Sequence, residues 1–407
     1  MKRFLATLLL TLACAHVWAP APPASAQTAT PPTTPQEGPP TATQEGPAAA
    51  PQAPQDSQAP AGQKEFRFIA TTKVSTMEKE LNQLASEGFR LERASKSLHG
   101  DDMAVLLSRE PGAAAAGGAR YEYRAIATRR AGTMDKEIKE AAAAGFELRG
   151  LTSMIRPGIG ALIGDETAAL MERRVGETAP RFEYQLLSAK REKTVQKELD
   201  AAVAAGFVPV EMVRGQDNGA ASILLGPQFV MTIIMARPAG AESTLNVSPS
   251  REYRFLETTK VGTMEREMNK AVKEGYRFYM SAPDMLMLMY RERGAEGPAP
   301  YQYKLLATRK TGTMQKELLE HVGAGYRYLA TSSGLGGLTT VLEREAEGAA
   351  PAGRREVRLL ATIREGTTRR EIAEALAEGY KILDLTTIGE FIIVLDREAA
   401  PSSARSN

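Results

Sequence analysis

A short motif that recurs six times constrains this 407-residue chain more than any other feature. If the threonine of each copy is position 0, glutamate always stands at +4, glycine at +12 and an aromatic residue at +13. The threonines are Thr76, Thr133, Thr194, Thr263, Thr313 and Thr367. A spacing kept without change through six copies predicts tandem structural repeats.

Each copy predicts a β-α-β-β unit. The residues before the threonine, such as YEYRAIAT at 121–128, are typical of a strand. The threonine is predicted as the helix N-cap, apolar residues at +1, +5 and +9 mark one helix face, and the glycine is predicted to end the helix. A second strand follows, as at 146–154, and a third strand closes the unit, as at 338–345.

The predicted fold class is therefore α+β: six tandem β-α-β-β repeat units, each a small sheet with one helix, after a disordered N-terminal tether. The predicted repeats span 65–110, 120–174, 181–237, 251–293, 300–345 and 354–398, with a disordered tail at 399–407.

A unit this short is marginal for a core of its own, so we expect neighbouring repeats to pack together, in pairs or as a continued sheet. Residues 65–82 match 252–269 at 12 of 18 positions, which suggests two halves of three repeats each.

The N-terminus predicts export. Residues 1–26 combine Lys2 and Arg3, a short apolar run and a small-residue cleavage site, the layout of a secretory signal peptide. Residues 27–64 form a Pro/Ala/Gln-rich segment that predicts a disordered linker. The mature chain is expected to be secreted or periplasmic and not transmembrane. A lipid anchor on Cys14 is the alternative.

Composition narrows the function classes. Without the leader, the chain has 49 basic and 49 acidic residues, and this balance argues against a nucleic-acid partner. Cys14 is the single cysteine and lies in the leader, so a chain cleaved after Ala26 has no thiol and no disulfide.

A family resemblance agrees with the repeat. The pattern Tyr-x-Tyr-[Lys/Arg], a short helix, Gly-aromatic and a closing strand ending in Arg resembles the bacterial family catalogued as domain of unknown function 4177. The resemblance covers each copy and so most of residues 65–398. Members of that family place Trp after the glycine, whereas this chain has Phe or Tyr. The family has no established activity, so the resemblance implies the fold and no catalytic residue.

The candidate binding residues lie in the strand-to-helix loops. A basic residue always stands at −3, beside the threonine and the free N–H groups of the helix start, and such a group suits a carboxylate or phosphate. The candidate anion-binding pairs are Lys73 and Thr76, Arg130 and Thr133, Arg191 and Thr194, Lys260 and Thr263, Lys310 and Thr313, and Arg364 and Thr367. The alternative is structural: the basic residue faces water or pairs with the glutamate at +4, and the threonine only caps the helix.

No catalytic residue, cofactor or metal site is predicted. His99 beside Asp101 and Asp102 reads as a solvated turn, and His321 as a residue packed on a helix face. Copper(I) binding by Met285, Met287 and Met289 is the soft-metal alternative to their packing in a strand.

The sequence thus predicts an exported, non-enzymatic repeat protein, a multivalent binding or scaffold module of the cell envelope. Its expected partner is an envelope protein or an anionic cell-wall or lipid component. The alternative is a structural module that assembles with itself through exposed strand edges.

Overall fold

The computed structural model describes residues 64–95, 102–111, 120–128, 131–154, 166–217, 228–240, 251–334, 336–346 and 355–399. The predicted signal peptide and all of the predicted linker but Lys64 lie outside the described residues, as does residue 400 onwards of the predicted tail.

One helix belongs to each repeat, and each has 13 residues that run from −2 to +10. The helices are Val74–Ser86 (α1), Ala131–Ala143 (α2), Glu192–Ala204 (α3), Val261–Lys273 (α4), Thr311–Gly323 (α5) and Glu365–Ala377 (α6).

Three strands belong to each repeat. The first strands are Glu65–Thr71 (β1), Tyr121–Thr128 (β4), Phe182–Ala189 (β7), Arg251–Glu257 (β10), Tyr301–Thr308 (β13) and Arg355–Thr362 (β16). The second strands are Arg90–Ala94 (β2), Glu147–Met154 (β5), Val208–Asp217 (β8), Arg277–Ala282 (β11), Arg327–Gly334 (β14) and Lys381–Thr387 (β17). The third strands are Met103–Arg109 (β3), Glu166–Arg174 (β6), Gln228–Pro238 (β9), Leu286–Glu292 (β12), Gly337–Glu345 (β15) and Phe391–Glu398 (β18).

The third strand lies in the middle of every sheet and runs antiparallel to the other two. The first and second strands of a repeat are therefore parallel and form its two edges. In all six second strands the pairing register shifts by one residue at +16, which forms a shared β-bulge. In repeat 1 the extra residue is Glu92, between Leu91 and Arg93.

The predicted α+β fold of six β-α-β-β units is confirmed. In the described residues the six sheets stay separate and do not continue into one another.

The glycine at +12 ends each helix as predicted. All six of these glycines have φ between 85° and 88°, the left-handed region that glycine enters without a Cβ clash. In repeat 1, Phe89 N–H donates to Leu84 O at 3.0 Å and Gly88 N–H donates to Ala85 O at 3.0 Å, the two bonds of a Schellman motif. The helix therefore turns sharply into the second strand.

The hydrophobic cores lie between repeats. In repeat 1 the predicted helix face, Met77, Leu81 and Ala85, is fully buried. These residues pack in one cluster with Tyr123 and Leu170 of repeat 2. Equivalent clusters join repeats 2 and 3, 3 and 4, 4 and 5, and 5 and 6. We call each of these boundaries a seam.

A sixth seam closes the fold into a ring. Phe68 and Leu106 of repeat 1 share a core with Ile372 of repeat 6, and the Phe68 and Phe391 ring centroids are 5.0 Å apart. Because repeats 3 and 4 share a core like every other neighbouring pair, the two separate halves suggested by sequence similarity are not present.

The middle strands are buried on both faces, which explains the methionines of repeat 4. Leu286 and Leu288 in β12 pack in the seam with repeat 3, whereas Met287 and Met289 pack in the seam with repeat 5 and are fully buried. Met285 precedes the strand with φ 56°. The methionines thus act as core residues of the seams.

Each helix also covers the outer edge strand of the next repeat. The side chain at +2 accepts a hydrogen bond from the backbone N–H at −8 of that repeat in the first five seams. The acceptor–donor pairs are Glu78 and Ala125 at 2.8 Å, Asp135 and Leu186 at 3.0 Å, Gln196 and Phe255 at 2.8 Å, Glu265 and Leu305 at 3.0 Å, and Gln315 and Leu359 at 2.5 Å. In the closing seam, Arg369 Nε donates to the carbonyl of the −8 residue, Phe68, at 3.0 Å. One register therefore relates every neighbouring pair.

The second strands of neighbouring repeats meet on the inner side of the ring. Ser95 Oγ lies 3.3 Å from Thr152 Oγ1, and Tyr279 Oη donates to Pro209 O at 2.9 Å. At the closing seam, Arg93 Nε donates to Leu383 O at 3.3 Å. These contacts bring the second sheet edges against one another.

A tyrosine at −10 joins the strands across some seams. Tyr303 Oη donates to the buried Glu343 carboxylate at 2.6 Å and accepts from Phe278 N–H of the preceding repeat at 2.8 Å. Burial, together with this carboxylate, raises the pKa of Tyr303 far above its usual range, because both disfavour the phenolate. In repeat 4 the residue opposite Tyr253 is Pro209, which has no N–H, and the Tyr253 hydroxyl has no hydrogen-bond partner among the described residues.

These two tyrosines make a matched pair of tests. Tyr303→Phe should lower the free energy of unfolding by about 1.5–3 kcal/mol, because it leaves a buried carboxylate and a buried N–H without this partner. Tyr253→Phe should change it by less than about 0.5 kcal/mol, because no bond is lost. Urea unfolding followed by circular dichroism measures both, and equal costs would contradict the seam geometry.

Ring closure predicts that removing one end of the chain damages the other. A chain that stops at residue 346 lacks repeat 6 and exposes Phe68 and Leu106 of repeat 1, so it should aggregate or unfold without cooperativity. A circular permutant with new ends in 241–250 and with 399 joined to 64 keeps all six seams. We expect it to remain monomeric with near-native unfolding in size-exclusion and urea experiments. A stable monomeric five-repeat chain would argue for an open array.

Candidate binding face

The strand-to-helix loops that the structure describes lie on one face of the ring. In repeat 1, Thr71 at the end of β1 pairs with Met103, and Ala94 at the end of β2 pairs with Val105, so both strands end on the same side. The shared seam register places the equivalent ends of every repeat on that side, which we call the loop face. Lys64 precedes the start of β1, and Ala399 follows the end of β18. Both of these strand ends lie on the side of the ring away from the loops, which we call the chain-end face.

The predicted N-cap threonine is wrong, because each helix begins three residues earlier than an N-cap at 0 implies, at position −2. The N-cap in the five helices whose caps are described is the basic residue at −3, with extended backbone and no side-chain capping bond. The threonine is the third helical residue. A basic residue also stands at +3 of every repeat. It is the sixth helical residue and lies beyond the first turn, where the positive end of the helix dipole has little effect on it.

A threonine at −5 shapes the loop instead. Its hydroxyl accepts a hydrogen bond from the N-cap N–H, from Lys73 to Thr71 at 3.2 Å, from Lys260 to Thr258 at 3.3 Å and from Lys310 to Thr308 at 3.1 Å. This two-residue bond turns the chain before the helix starts. Threonine also stands at −5 in repeats 2 and 6, so the signal was readable in the sequence.

The basic residues at −3 project into solvent. Those described are Lys73, Arg191, Lys260, Lys310 and Arg364, and all five are exposed. Arg130 lies outside the described residues. Within the described part of the chain, none of these five pairs with a carboxylate, including the glutamate at +4. The threonines at 0 lie in the first helical turn next to these loops, half-buried at Thr76, Thr263 and Thr367 and exposed at Thr133, Thr194 and Thr313.

The six loops differ in how well they suit an anion. Helices α1, α2, α4 and α5 have no acidic residue in the first turn. Glu192 and Glu365 occupy the first turn of α3 and α6. Burial, and then the neighbouring Glu257 and Glu267, raise the pKa of Glu192, which indicates a locally negative surface. Repeats 1, 4 and 5 therefore offer the most favourable described loops for an anion.

Arginines near the ends of the third strands are held by a clamp that sequence reasoning missed. In five repeats the clamp includes a glutamate, and in repeat 5 it includes Gln302. Arg173 at the end of β6 lies over the Phe146 ring at 4.6 Å, donates to Ala144 O at 2.9 Å and pairs with Glu122 at 2.8 Å. It thus satisfies a carbonyl at the helix C-terminus and covers the aromatic residue at +13. The same stacking is made by Arg109, Arg173, Arg237, Arg291, Arg344 and Arg397.

The remaining sequence candidates do not form a site. His99 and Asp101 lie outside the described residues. His321 is half-buried, with Nδ1 2.9 Å from Glu317 O and its ring 5.7 Å from Tyr326. The described residues contain no group of three or more metal-ligand side chains. They also contain no helix that is long and apolar enough to cross a membrane.

The loop geometry predicts which threonine stabilises the helix start. Thr258→Ala should lower the free energy of unfolding by about 0.5–1 kcal/mol, because the Lys260 N–H loses its acceptor. Thr263→Ala should be neutral or slightly stabilising, because this threonine lies inside the helix, where alanine is preferred. Urea unfolding of both variants checks this prediction. A larger loss of free energy of unfolding for Thr263→Ala than for Thr258→Ala would indicate that the threonine at 0 is the N-cap.

Comparison with protein-family models, with curated proteins and with solved structures finds no match for this chain.

Proposed function

We propose that the ring is a non-catalytic, multivalent binding or scaffold module of the cell envelope that meets an anionic partner through its loop face. One observation carries this proposal: the same loop, with an exposed basic residue that makes no ion pair in the five described copies, recurs around one face. The chain-end face, by contrast, holds its arginines in clamps and carries both ends of the described chain.

Repetition compensates for the weakness of each loop. A charge at a helix terminus contributes only about 0.3–1 kcal/mol when exposed, so one loop alone binds an anion weakly. A rigid ring holds several such loops at fixed separations, and binding of the first raises the effective concentration of the others. An extended polyanionic surface, such as a cell wall or a lipid layer, fits this arrangement better than a single small anion does.

The predicted leader and tether agree with this proposal. Lys64, the residue at which the predicted tether meets the described chain, adjoins the chain-end face, opposite the loops. Export and the resemblance to domain of unknown function 4177 stay predictions. The alternative, self-assembly through sheet edges, has less support, because the outer edges are bonded to neighbouring helices and the inner edges meet one another.

Co-sedimentation of residues 27–407 with purified cell-wall sacculi and with anionic vesicles tests the proposal. The loop variant changes Lys73, Arg191, Lys260, Lys310 and Arg364 to glutamate. A matched control changes Lys79, Lys197, Arg266, Lys316 and Arg370, the exposed basic residues at +3 of the same repeats, to glutamate.

Both variants carry the same change in net charge, so they differ only in where it lies. We expect retention of the wild-type protein that falls with salt, near-complete loss in the loop variant and at least half of the retention in the control. Equal loss of retention in the two variants would show that retention depends on net charge alone and not on the loops. No retention of the wild-type protein on either surface would contradict an anionic partner, and association of the protein with itself would then favour the alternative.

A further inference from the structure

The closing seam between repeats 6 and 1 contains a cavity of about 470 Å³. It lies where the end of α6 and the start of β17 face β1. Phe66, Leu106, Leu376 and Ile382 form apolar parts of its wall, and charged side chains lie around them. The volume is within the range of about 300–1,000 Å³ that is typical of small-molecule sites.

Two other seams, between repeats 1 and 2 and between repeats 4 and 5, fill this place with two tyrosines. In the seam between repeats 1 and 2, the tyrosine at −12 stacks under an arginine at +14, with the Arg90 guanidinium 4.5 Å from the Tyr121 ring centre. The tyrosine at −10 fills the interior, and its hydroxyl accepts from Leu91 N–H at 2.8 Å. The seam between repeats 4 and 5 repeats both features with Tyr301 and Tyr303.

The closing seam lacks all three of these side chains. The positions equivalent to the two tyrosines hold Lys64 and Phe66, and the position of the arginine holds Lys381. No aromatic stack covers the mouth, and no hydroxyl from position 66 reaches the N–H of Ile382, which is equivalent to Leu91 and Phe278. The cavity therefore lies where the closing seam departs from the two tyrosine-filled seams.

The charges at the mouth favour an anion. Glu92 is already satisfied, because it accepts from Lys64 Nζ at 2.5 Å and from Ser108 Oγ at 2.5 Å. Arg93 donates to two backbone carbonyls, Leu383 O at 3.3 Å and Glu92 O at 2.9 Å. Among the described residues, neither Arg93 nor the exposed Lys381 pairs with a carboxylate.

We propose that this cavity binds an amphipathic monocarboxylate, a molecule with an aliphatic or aromatic body and one carboxylate. The body lies against Phe66, Leu106 and Leu376, and the carboxylate lies at the mouth beside Arg93 and Lys381. An apolar pocket provides the affinity, and charge-assisted hydrogen bonds from the guanidinium provide the selection for an acid. Because the cavity is lined by both ends of the repeat array, the ligand also stabilises the closed ring by mass action.

Sodium dodecanoate, kept below its micelle concentration, is the probe, with 1-dodecanol as its uncharged counterpart. Isothermal titration calorimetry of residues 27–407 should show one saturable site, with dodecanoate binding at least tenfold tighter than dodecanol. The triple variant Lys64→Tyr, Phe66→Tyr and Lys381→Arg introduces the pattern of the two tyrosine-filled seams. It should weaken dodecanoate binding more than tenfold, because the new rings occupy the cavity.

A second variant tests the proposal independently, in case the triple variant does not fold. Arg93→Gln with Lys381→Gln removes the charges and leaves the apolar walls, so dodecanoate should bind about tenfold more weakly while dodecanol binding stays unchanged. The loop variant, with glutamate at the −3 positions, should bind dodecanoate like the wild type, which separates this site from the proposed loop-face function. Absence of binding by the wild type, equal binding of the two probes, or undiminished dodecanoate binding in both cavity variants would overturn the proposal.

Discussion

The packing of each helix against the first strand of the next repeat is the interaction on which the structure depends. One helix and three strands bury too little apolar surface to fold alone, so each repeat completes its core with its neighbour. In a linear array the last helix face and the first sheet face would both be left exposed. Joining these two faces, as Phe68 and Ile372 do, turns a repeat array into a ring without terminal capping repeats.

Polar side chains fix how neighbours meet. The bond from +2 to −8 pins the register of each seam, and a constant register keeps every repeat in the same orientation. In the described residues, the helices consequently begin on one face of the ring and the third strands end on the other. The asymmetry between an exposed basic loop face and a chain-end face of clamped arginines follows from this topology, and it is the physical basis of the proposed multivalent binding.

Much of this fold could be predicted from local patterns. The apolar residues at +1, +5 and +9 and the glycine at +12 depend on helix periodicity and on left-handed backbone, which a single repeat displays. The helix start was misplaced, because two threonines compete for the same role and the one at −5 bonds the N-cap N–H. The arginine clamp was missed, since it joins three elements that are far apart in the chain.

Ring closure and the cavity could not be predicted in the same way. Closure depends on the small rotation between repeats, which no sequence position encodes by itself. The replacement of tyrosine by Phe66 and Lys64 is visible in the sequence, but it gains meaning only when those positions are known to face Ile382 and Lys381.

The central claim is that repeats 1 and 6 touch. A nuclear Overhauser effect between the rings of Phe68 and Phe391, in protein with selectively labelled phenylalanine, tests this claim most directly. The structure predicts a strong cross-peak, since the centroids lie 5.0 Å apart. Its absence in protein that retains contacts within each repeat would show an open array and contradict the ring.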